Sequence, residues 1–454
     1  MNTWVNDGNA ALLTDLYELT MLQSYFDEGM NDIAVFDLFM RRLPLNRNYL
    51  VACGLEHVLH YLETFRFNSD AIDYLRDLGR FTEPFLKSLE VFRFTGDVYA
   101  MPEGTPLFAN EPFIEIVAPL REAQFVETFI MNQTQMATLA ASKAARVVRA
   151  AQGRSVVDFG ARRMQGTDAA LKQPRAYYVA GVASTSSVLA GQTWGIPVSG
   201  TMAHSYILAF PDELQAFRRF LQTYPSAILL IDTFDVSIAV EHIIRLAGEM
   251  GDGFRVSGVR LDSGDLSKHA RHVRQQLDTA GLNQIKIYAS SSLDEYEIEK
   301  IVTGDIPIDG FGVGRNLATS ADVPVLDTAY KLVEYAGKAK MKLSESKSTL
   351  PGQKQVYRER SGGRWVRDVI ALSEEGNLQG EPLLVKVMEK GRRLGSPEPL
   401  DQCRARCKTE LDALPEHLLT LSKSFPEYPV ELSAELSRLK TSLCEAETRL
   451  NSGA

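Results

Sequence analysis

A carboxylate and a guanidinium stand close together at the end of one apolar segment, in the sequence Arg260-Leu-Asp-Ser-Gly-Asp265. In an extended strand, Arg260 and Asp262 point to the same side because they are two residues apart. A purely structural interpretation is a turn in which Asp265 caps the next helix. The pairing of Asp262 with a cation at the end of an apolar strand favours contact with a polar ligand.

A second apolar segment ends in Asp158-Phe-Gly-Ala-Arg-Arg163. The planar guanidinium groups of Arg162 and Arg163 suit the recognition of a carboxylate or a phosphate. We expect one of the two arginines to form a structural salt bridge with Asp158 and the other to face a ligand.

A glycine pair lies in the sequence Phe-Gly-Val-Gly-Arg-Asn at residues 311–316. Gly312 and Gly314 allow a ligand to approach the backbone, whose N–H groups could bind a phosphate, and Arg315 adds positive charge. The motif alone is weakly specific. It follows the last of a series of predicted strands, where barrel enzymes often bind phosphate, and this position favours the phosphate interpretation.

His204 is one of seven histidines. A lone histidine in an apolar context is more often structural than catalytic. No G-x-S-x-G sequence is present, so a role as the base for a nucleophilic serine is not favoured. With Asp232 orienting its ring, His204 could instead accept a phosphoryl group. Cys403 and Cys407 have no second cysteine pair nearby, and we predict no metal site there.

These polar groups end short apolar segments that alternate with amphipathic helical stretches, which is typical of parallel β/α units. The segments are 155–163, 178–187, 196–205, 227–235, 256–265, 285–294 and 308–316. Ligands bind at the carboxyl ends of such strands. We therefore expect one rim that carries Asp158, Arg162, Ser187, His204, Asp232, Arg260, Asp262 and Gly314.

The predicted fold is α/β, with an irregular β/α barrel of parallel strands, an N-terminal α/β domain and a C-terminal extension. We favour the barrel over an open doubly wound sheet. The predicted parts are an N-terminal α/β domain at 1–125, the barrel with the active-site rim at 126–322, and a C-terminal segment at 323–454 that packs on the N-terminal domain.

The composition is that of an ordinary globular protein, with 454 residues, 45% hydrophobic and 24% charged. The net charge of −9 gives no basic field for nucleic acid. Four cysteines are too few for a disulfide scaffold, and neither a secretory signal nor a long apolar run is present. These features predict a cytoplasmic enzyme with neither nucleic acid nor a membrane as partner.

Several longer strings resemble the nicotinate phosphoribosyltransferases, of the type II phosphoribosyltransferase fold, across nearly the whole chain. They are LLTDLYELTM (12–21), FDLFMRRLP (36–44), GDVYAMPEGTPLFANEP (96–112), DFGARRMQG (158–166), ASTSSVLAG (183–191), GTMAHSYI (200–207), IDTFDV (231–236), GVRLDSGDL (258–266), FGVGRNL (311–317) and the segment 324–342.

The resemblance implies an ATP-coupled glycosyltransferase, classed as a ligase, of the salvage route to NAD. Such an enzyme makes nicotinate mononucleotide and pyrophosphate from nicotinate and 5-phosphoribosyl 1-pyrophosphate. ATP is a co-substrate that acts through a phosphohistidine, and Mg²⁺ assists. The resemblance also implies a homodimer with shared active sites.

On the nicotinate side, the resemblance implies that Tyr17, from the second protomer, and Phe159 sandwich the pyridine ring. Arg260 and Thr201 would hold and orient nicotinate. Ser187 stands near the position where the related nicotinamide enzymes carry an aspartate, which would repel a carboxylate. Its presence favours the acid over the amide as substrate.

On the phosphate side, the resemblance implies that Arg162 contacts phosphate, Asp262 binds the ribose hydroxyls and the turn 312–314 holds the 5′-phosphate. His204 matches the phosphorylated histidine and Asp232 the carboxylate that orients it. Arg315 departs from the family pattern, in which many relatives carry a small or hydroxyl residue.

Two other functions remain open from the sequence. One is a nicotinamide phosphoribosyltransferase of the same fold. The other is a non-catalytic nucleotide-binding or regulatory protein on the same scaffold, which should have lost His204, Asp232 and Asp262. All three residues are present.

Overall fold

The fold is described from a computed structural model that covers residues 4–343, 349–376 and 378–452. The predicted C-terminal segment 323–454 therefore lies partly outside the described residues. The chain divides into two compact units: unit 1 runs to Leu139 and resumes at Val325, and unit 2 is Ala140–Pro324. The helix at residues 127–150 spans the first boundary between the units. Because its helical pattern is uninterrupted, the sequence gives no sign of a boundary inside it, and the predicted barrel region starts earlier, at residue 126.

The N-terminal part of unit 1 alternates helices with short strands. Its helices are α1 (Leu16–Asp27), α2 (Leu55–Thr64), α3 (Ser69–Asp77), α4 (Glu83–Leu89), α5 (Leu120–Phe125) and α6 (Glu127–Ala150). Its strands are β1 (Ile33–Met40), β2 (Leu50–Val51), β3 (Asp97–Ala100), β4 (Pro106–Leu107) and β5 (Pro112–Pro119).

Unit 2 repeats a strand followed by one or more helices. Its strands are β6 (Ser155–Asp158), β7 (Ser184–Thr185), β8 (Ile228–Leu230), β9 (Gly258–Leu261), β10 (Lys286–Ala289) and β11 (Gly310–Val313). Its helices are α7 (Gly166–Val179), α8 (Val188–Trp194), α9 (His204–Leu208), α10 (Glu213–Thr223), α11 (Val236–Met250), α12 (Leu266–Thr279), α13 (Glu295–Thr303) and α14 (Arg315–Ala318).

The C-terminal part of unit 1 is mostly strand. Its strands are β12 (Thr328–Tyr335), β13 (Lys338–Ala339), β14 (Lys354–Ser361), β15 (Arg364–Leu372), β16 (Glu381–Pro382), β17 (Val385–Glu389), β18 (Arg392–Arg393) and β19 (Val430–Leu432). Its helices are α15 (Leu400–Asp412) and α16 (Ala434–Ser452).

The sheets of unit 1 join the two ends of the chain. The larger sheet has the order β13-β12-β1-β5-β3-β17-β18, so the N-terminal strands form the centre of the sheet and C-terminal strands flank them on both sides. A second sheet has the order β16-β14-β15-β19, and β2 pairs with β4. Because β1 pairs along its length with β12, the C-terminal part is integral to this unit.

The core of unit 1 contains a buried ion pair on β14 and β15. Arg358 and Asp368 are both inaccessible to solvent, and Arg358 donates through Nε and Nη2 at 2.6–3.1 Å. Arg358 Nη2 also donates to the carbonyl of Pro106, and the Tyr428 hydroxyl donates to Asp368 at 2.9 Å. Each charge is thus held by neighbours on several strands, away from water.

The sheet of unit 2 is parallel, with the order β7-β6-β11-β10-β9-β8. The first strand pairs with the last, since β6 lies beside β11, and this pairing curls the sheet into a barrel. Val198 adds a parallel bridge to Thr185 outside β7. Within this unit, no backbone ladder joins the segment after Val198 to β8, so the barrel has one open seam.

The predicted irregular barrel of parallel strands is confirmed. The predicted segment at 196–205 differs from the others, since it contributes only the bridge at Val198 before α9 begins at His204. Its sequence, Pro-Val-Ser-Gly-Thr, contains a proline and a glycine that interrupt a ladder.

Several polar residues that end the strands also begin the helices. Asp265 accepts the backbone N–H of Lys268 at 3.0 Å as the cap of α12, and Asp235 and Asp294 cap α11 and α13 in the same manner. A side-chain acceptor at this position satisfies an N–H group that has no partner within the helix. The helices therefore start a few residues after the strand ends. None of the helices in the described ranges is long and apolar enough to cross a membrane.

Candidate active site

A cavity of about 720 Å³ opens at the carboxyl ends of the unit 2 strands. Every strand of the barrel except β8 contributes lining residues from the loop that follows it. The lining includes Phe159, Arg162, Arg163, Ser186, Thr201, Met202, His204, Arg260, Asp262, Ser290, Ser291, Ser292, Gly312, Gly314 and Arg315. The structure thus brings residues from distant parts of the sequence into one cavity.

Arg260 is held in place by residues of two other loops. Its Nε donates to Thr201 Oγ1 at 2.8 Å, its Nη2 to the Met202 carbonyl at 2.8 Å and its Nη1 to Ser290 Oγ at 2.9 Å. Nη1 also lies 3.0 Å from Asp262 Oδ1. Burial lowers the pKa of the guanidinium, although the nearby Asp262 opposes that shift. Most N–H groups of Arg260 are therefore committed within the protein, and one on Nη2 remains for a ligand.

Asp262 keeps one carboxylate oxygen available to the cavity. Its Oδ1 accepts the hydroxyl of Ser290 and lies beside Arg260. Its Oδ2 receives no hydrogen bond from the described residues and lies 3.7 Å from His204 Nε2. The predicted position of Arg260 and Asp262 on the same side of one strand is what allows their contact.

Asp232 does not contact His204 in the described chain, contrary to the expectation that it orients the histidine ring. Its Oδ2 accepts the backbone N–H of Asp262 at 2.8 Å and the Ser263 hydroxyl at 2.6 Å. This occurs because β8 and β9 are neighbours, so the carboxylate reaches across to the backbone after β9. Its other oxygen, Oδ1, is buried without a hydrogen bond.

His204 lies at the first turn of α9 with its two ring nitrogens facing different groups. Nδ1 is 3.1 Å from the Thr233 hydroxyl, and Nε2 is the atom near Asp262. The side chains next to the ring nitrogens are therefore those of Thr233 and Asp262, whereas the sequence predicts Asp232 there. About 40% of the side chain is exposed, so a ligand in the cavity can reach it.

Phe159 lies with its ring against the backbone of β11. A Cβ atom placed on Gly312 would lie 2.4 Å from the ring, a distance that real atoms do not reach. Glycine at residue 312 therefore makes room for the ring. The Arg260 guanidinium lies 5.9 Å from the ring centroid, so an aromatic face and a cation meet in the cavity.

Asp158 is buried under the loop that carries Phe159, and neither arginine of that loop forms a salt bridge with it. Its carboxylate accepts the backbone N–H of Gly160 at 2.7 Å and the Thr185 hydroxyl at 2.8 Å. Burial raises the pKa of Asp158 to about 6. The expected salt bridge is wrong because residues 161–163 form a turn in which both Arg162 and Arg163 are exposed.

The cavity lining is positively charged overall. It contains four guanidinium groups, those of Arg162, Arg163, Arg260 and Arg315, against the single carboxylate of Asp262. Arg315 donates to the Ser292 hydroxyl at 3.2 Å, and Gly312 and Gly314 lie on the same side of the cavity. This excess suits a ligand that carries several negative charges.

Three predicted site residues are not among the cavity-lining residues, namely Asp232, Ser187 and Tyr17. The Ser187 hydroxyl accepts the backbone N–H of Ala190 at 3.4 Å as the cap of α8, and its neighbour Ser186 lines the cavity instead. Tyr17 lies on α1 of unit 1 and is 44% exposed. The described cysteines Cys403 and Cys407 are buried on α15, and burial raises the pKa of the Cys407 thiol to about 12.

Comparison with known proteins identifies the family. Models of the nicotinate phosphoribosyltransferase N-terminal and C-terminal domains match residues 12–135 and 376–440. A nicotinate phosphoribosyltransferase of Mycobacterium tuberculosis is 50% identical over 436 residues, which is 95% of this chain and 94% of the relative. One from Bacillus subtilis is 36% identical over 94% of each chain. The chain belongs to the nicotinate phosphoribosyltransferase family.

Solved structures of this family agree with the fold. The human nicotinic acid phosphoribosyltransferase superposes with a TM-score of 0.85 and 28% identity, over 95% of this chain and 100% of the human chain. A nicotinate-nucleotide pyrophosphorylase of Pyrococcus furiosus superposes with a TM-score of 0.74 and 26% identity, over 91% and 99%. Both likenesses extend over both units of this family member.

Four contacts of this nicotinate phosphoribosyltransferase family member were missed from the sequence. Ser290 bonds both Arg260 and Asp262, Thr233 bonds His204, and the carbonyl of Met202 accepts from Arg260. The serine run at residues 290–292, directly after an apolar strand, was the one signal that could have indicated Ser290. A backbone carbonyl carries no sequence signal.

Asp262 is suited to share a Mg²⁺ ion with substrate phosphates, as the family implies. Magnesium is usually bound by one or two carboxylates together with phosphates and water rather than by a complete protein cage. In the described chain, no group of three or more His, Cys, Asp or Glu side chains is arranged around a metal position. The unbonded Oδ2 of Asp262 is the oxygen that fits such an ion.

Proposed function

We propose that this chain is a nicotinate phosphoribosyltransferase, which forms nicotinate mononucleotide and pyrophosphate from nicotinate and 5-phosphoribosyl 1-pyrophosphate. The observation that carries the proposal is the cavity in which Arg260 lies beside the Phe159 ring and Asp262. An aromatic face with a cation fits a pyridine carboxylate, and the further arginines fit the phosphates. The 50% identity to a nicotinate phosphoribosyltransferase supports the same activity.

The proposed reaction is a substitution at ribose C1. The bond from C1 to the pyrophosphate oxygen breaks as the bond from the pyridine nitrogen to C1 forms, and positive charge develops on the ribose. No general base is needed because the attacking nitrogen carries a free electron pair. Catalysis depends mainly on holding the nitrogen about 3–3.5 Å from C1 and on stabilising charge.

On the nicotinate side, the remaining Nη2 N–H of Arg260 faces the substrate carboxylate and Phe159 supports one face of the ring. Thr201 acts through Arg260, since its hydroxyl accepts the Nε hydrogen. The absence of an acidic side chain at Ser186 and Ser187 removes a group that would repel a carboxylate. These features favour nicotinate over nicotinamide.

On the phosphoribosyl side, Asp262 binds ribose hydroxyls and stabilises the developing positive charge. Arg162 and Arg315 attract the phosphates, and Gly312 and Gly314 let the 5′-phosphate approach the backbone. A Mg²⁺ ion bound through Asp262 would neutralise charge on the leaving pyrophosphate. Asp232 maintains this arrangement by fixing the backbone that precedes the Asp262 side chain.

We further propose that ATP hydrolysis is coupled to the reaction through phosphorylation of His204. When Nδ1–H donates to Thr233, the free electron pair is on Nε2, which attacks the γ-phosphorus as its bond to the ADP oxygen breaks. The phosphoryl group then adds negative charge beside the pyrophosphate side of the cavity.

The assay that tests the activity measures pyrophosphate release with nicotinate or nicotinamide, each with and without ATP. We expect release with nicotinate, stimulation by ATP and little release with nicotinamide. Equal rates with the amide would support the nicotinamide enzyme instead. No release with either substrate, in a folded protein that binds phosphoribosyl pyrophosphate, would support a non-catalytic binding protein.

The proposed cellular role is salvage of nicotinate for NAD synthesis in the cytoplasm. It is tested by following labelled nicotinate into NAD in cells that lack their own enzyme and express this chain. Label in NAD that depends on an intact His204 supports the role, and its absence in cells with active enzyme contradicts it.

We also propose a homodimer with shared active sites, in which Tyr17 reaches the cavity of the partner. Tyr17 is exposed on α1, as a residue that serves another protomer must be. Mixing inactive Tyr17→Ala and inactive His204→Ala protomers should restore part of the activity. Verified heterodimers that stay inactive would contradict sharing.

A further inference from the structure

Ser290 occupies a central position in the cavity although no role has been assigned to it. Its hydroxyl donates to Asp262 Oδ1 and accepts from Arg260 Nη1 at 2.9 Å. The residue is 3% exposed, so water does not compete for these bonds. Because a hydroxyl can donate once and accept as well, a single side chain satisfies both the carboxylate and the guanidinium.

The backbone keeps Ser290 rigidly opposite these partners. The ladder between β9 and β10 pairs Tyr288 with Arg260 and Ala289 with Leu261, and Ser290 is the next residue after that last pair. Its backbone N–H donates to the carbonyl of Leu261 at 2.8 Å. The hydroxyl therefore projects from a fixed point at the end of the ladder.

The contacts of Ser290 determine which oxygen of Asp262 a ligand meets. Oδ1 is occupied by Ser290 and Arg260, and this leaves Oδ2 without a hydrogen bond. The same hydroxyl accepts a hydrogen bond from Nη1 of Arg260. This bond helps to determine which N–H group of Arg260 remains available to a ligand. Among the described residues, Ser290 is the one side chain bonded to both groups.

We propose that Ser290 is a positioning residue that sets the spacing between Arg260 and Asp262, and through it the alignment of the nicotinate with the ribose. The proposal rests on the proposed function, in which these two residues bind the two substrates. Without the hydroxyl, Asp262 can turn about its Cβ–Cγ bond and Arg260 loses one of its anchors. The two substrates would then be held, but less well aligned.

The test compares three substitutions of Ser290. Alanine removes the hydroxyl, cysteine keeps nearly the same volume with a weak donor, and threonine keeps the hydroxyl. We expect Ser290→Ala and Ser290→Cys to lower kcat/KM for phosphoribosyl pyrophosphate at least about tenfold, and Ser290→Thr to recover part of the loss. Ser290→Cys at wild-type rate with Ser290→Thr impaired would mean that volume matters, which would overturn the proposal.

A double-mutant cycle with Asp262→Asn separates positioning from a general structural role. If Ser290 acts through Asp262, Ser290→Ala should cost much less in the Asp262→Asn background than in the wild type. Fully additive effects would overturn the proposal. Ser257→Ala, which removes a hydroxyl at the opposite end of the same sheet, is the matched control and should leave kcat/KM unchanged.

Failure of this inference is distinguishable from failure of the proposed function. If the wild-type protein does not release pyrophosphate, the proposed function is wrong. The double-mutant cycle is then measured from the dissociation constant for phosphoribosyl pyrophosphate. In that measurement Ser290→Ala should weaken binding only when Asp262 is intact. If the wild type is active and Ser290→Ala matches it, only the positioning role is wrong.

Discussion

The two units each contain a contact between an arginine and an aspartate, and the two pairs are built in opposite ways. In unit 1, Arg358 and Asp368 are both fully buried and are bonded to each other and to groups on several strands. In unit 2, Arg260 and Asp262 lie 3.0 Å apart, but 32% of the Asp262 side chain is exposed. Its Oδ2 has no hydrogen bond from the described residues.

The difference lies in whether a ligand can reach the unmade bonds rather than in the residue types. Arg358 Nη1 has no hydrogen-bond partner among the described residues, but Arg358 is buried, so the pair offers no position for a ligand and resists the loss of either partner. A pair at a cavity that leaves an N–H and an oxygen unbonded can exchange water for substrate. The same chemical groups therefore stabilise one unit and equip the other for binding.

The largest expected effect comes from breaking the buried pair. Arg358→Met should lower the free energy of unfolding by about 3–5 kcal/mol, because Asp368 would remain as an unpaired buried charge. Denaturant titration measures this change. Arg367→Met is the control, since Arg367 forms exposed salt bridges on β15 and its loss should leave the midpoint nearly unchanged.

Should Arg358→Met not fold, Tyr428→Phe provides a milder version of the same test. It removes one hydrogen bond to Asp368 and should cost about 1 kcal/mol. Equal midpoints for the wild type and all three variants would show that the buried pair does not stabilise unit 1.

The next expected effect is loss of the phosphoryl label at the cavity. His204→Ala should abolish acid-labile, base-stable ³²P incorporation from γ-labelled ATP, since no ring nitrogen remains to accept the phosphoryl group. Slow synthesis of nicotinate mononucleotide should persist at high phosphoribosyl pyrophosphate. His272→Ala, an exposed histidine that contacts Ser237 on α11, should be labelled like the wild type. Equal labelling of His204→Ala would place the phosphoryl group elsewhere.

A smaller effect is expected from removing the cation of the Arg260–Asp262 pair. Arg260→Ala should raise the nicotinate KM or lower kcat/KM at least about tenfold, which corresponds to about 1.4 kcal/mol of transition-state binding. Stability should change less than in Arg358→Met because Arg260 lies at a cavity. Arg255→Ala, in the loop that precedes the same strand, is the control. Steady-state kinetics that match the wild type would contradict the role of Arg260.

A further expected effect, which appears only when the pH changes, is the pH dependence of stability at Asp158, a buried carboxylate with no cationic partner among the described residues. Its pKa of about 6 in the folded state lies above the ordinary 3.8. The folded state therefore holds the proton more tightly, and the free energy of unfolding falls as the pH rises from about 4 to 6, by at most about 1.4 kcal/mol per pH unit.

Asp158→Asn cannot titrate, so its stability relative to the wild type should increase as the pH rises through that range. Urea titrations at several pH values measure the difference, with Asp168→Asn on the exposed side of α7 as the control. Parallel stability curves for Asp158→Asn and the wild type would show that Asp158 does not titrate there.

The position of the rim was predictable because each strand and its polar end are adjacent in sequence. Once the β/α repeat is recognised, Arg260, Asp262, His204 and Gly314 must lie on one side of the sheet, and the structure places all four at the cavity. The contact between Arg260 and Asp262 followed from the two-residue period of a strand.

The partners of individual side chains were less predictable, because they depend on which strands are neighbours and on which backbone groups need an acceptor. Asp232 bonds the backbone after β9 rather than His204, and Asp158 bonds the N–H of Gly160 rather than an arginine. In both cases the carboxylate accepts a hydrogen bond from a nearby backbone N–H group. Ser290 was missed because its contacts arise only from the register of two strands.

The seam of the barrel has a consequence for the motions of unit 2. Across it, side chains replace the missing backbone ladder: Arg260 bonds Thr201 and Met202, and His204 bonds Thr233. These bonds involve the groups that would hold substrate, so amide hydrogens beside the seam should exchange with solvent sooner than those of β6 and β11. A bound substrate that immobilises Arg260 and His204 should slow that exchange. The side chains that bind substrate would then also hold the two edges of the barrel together.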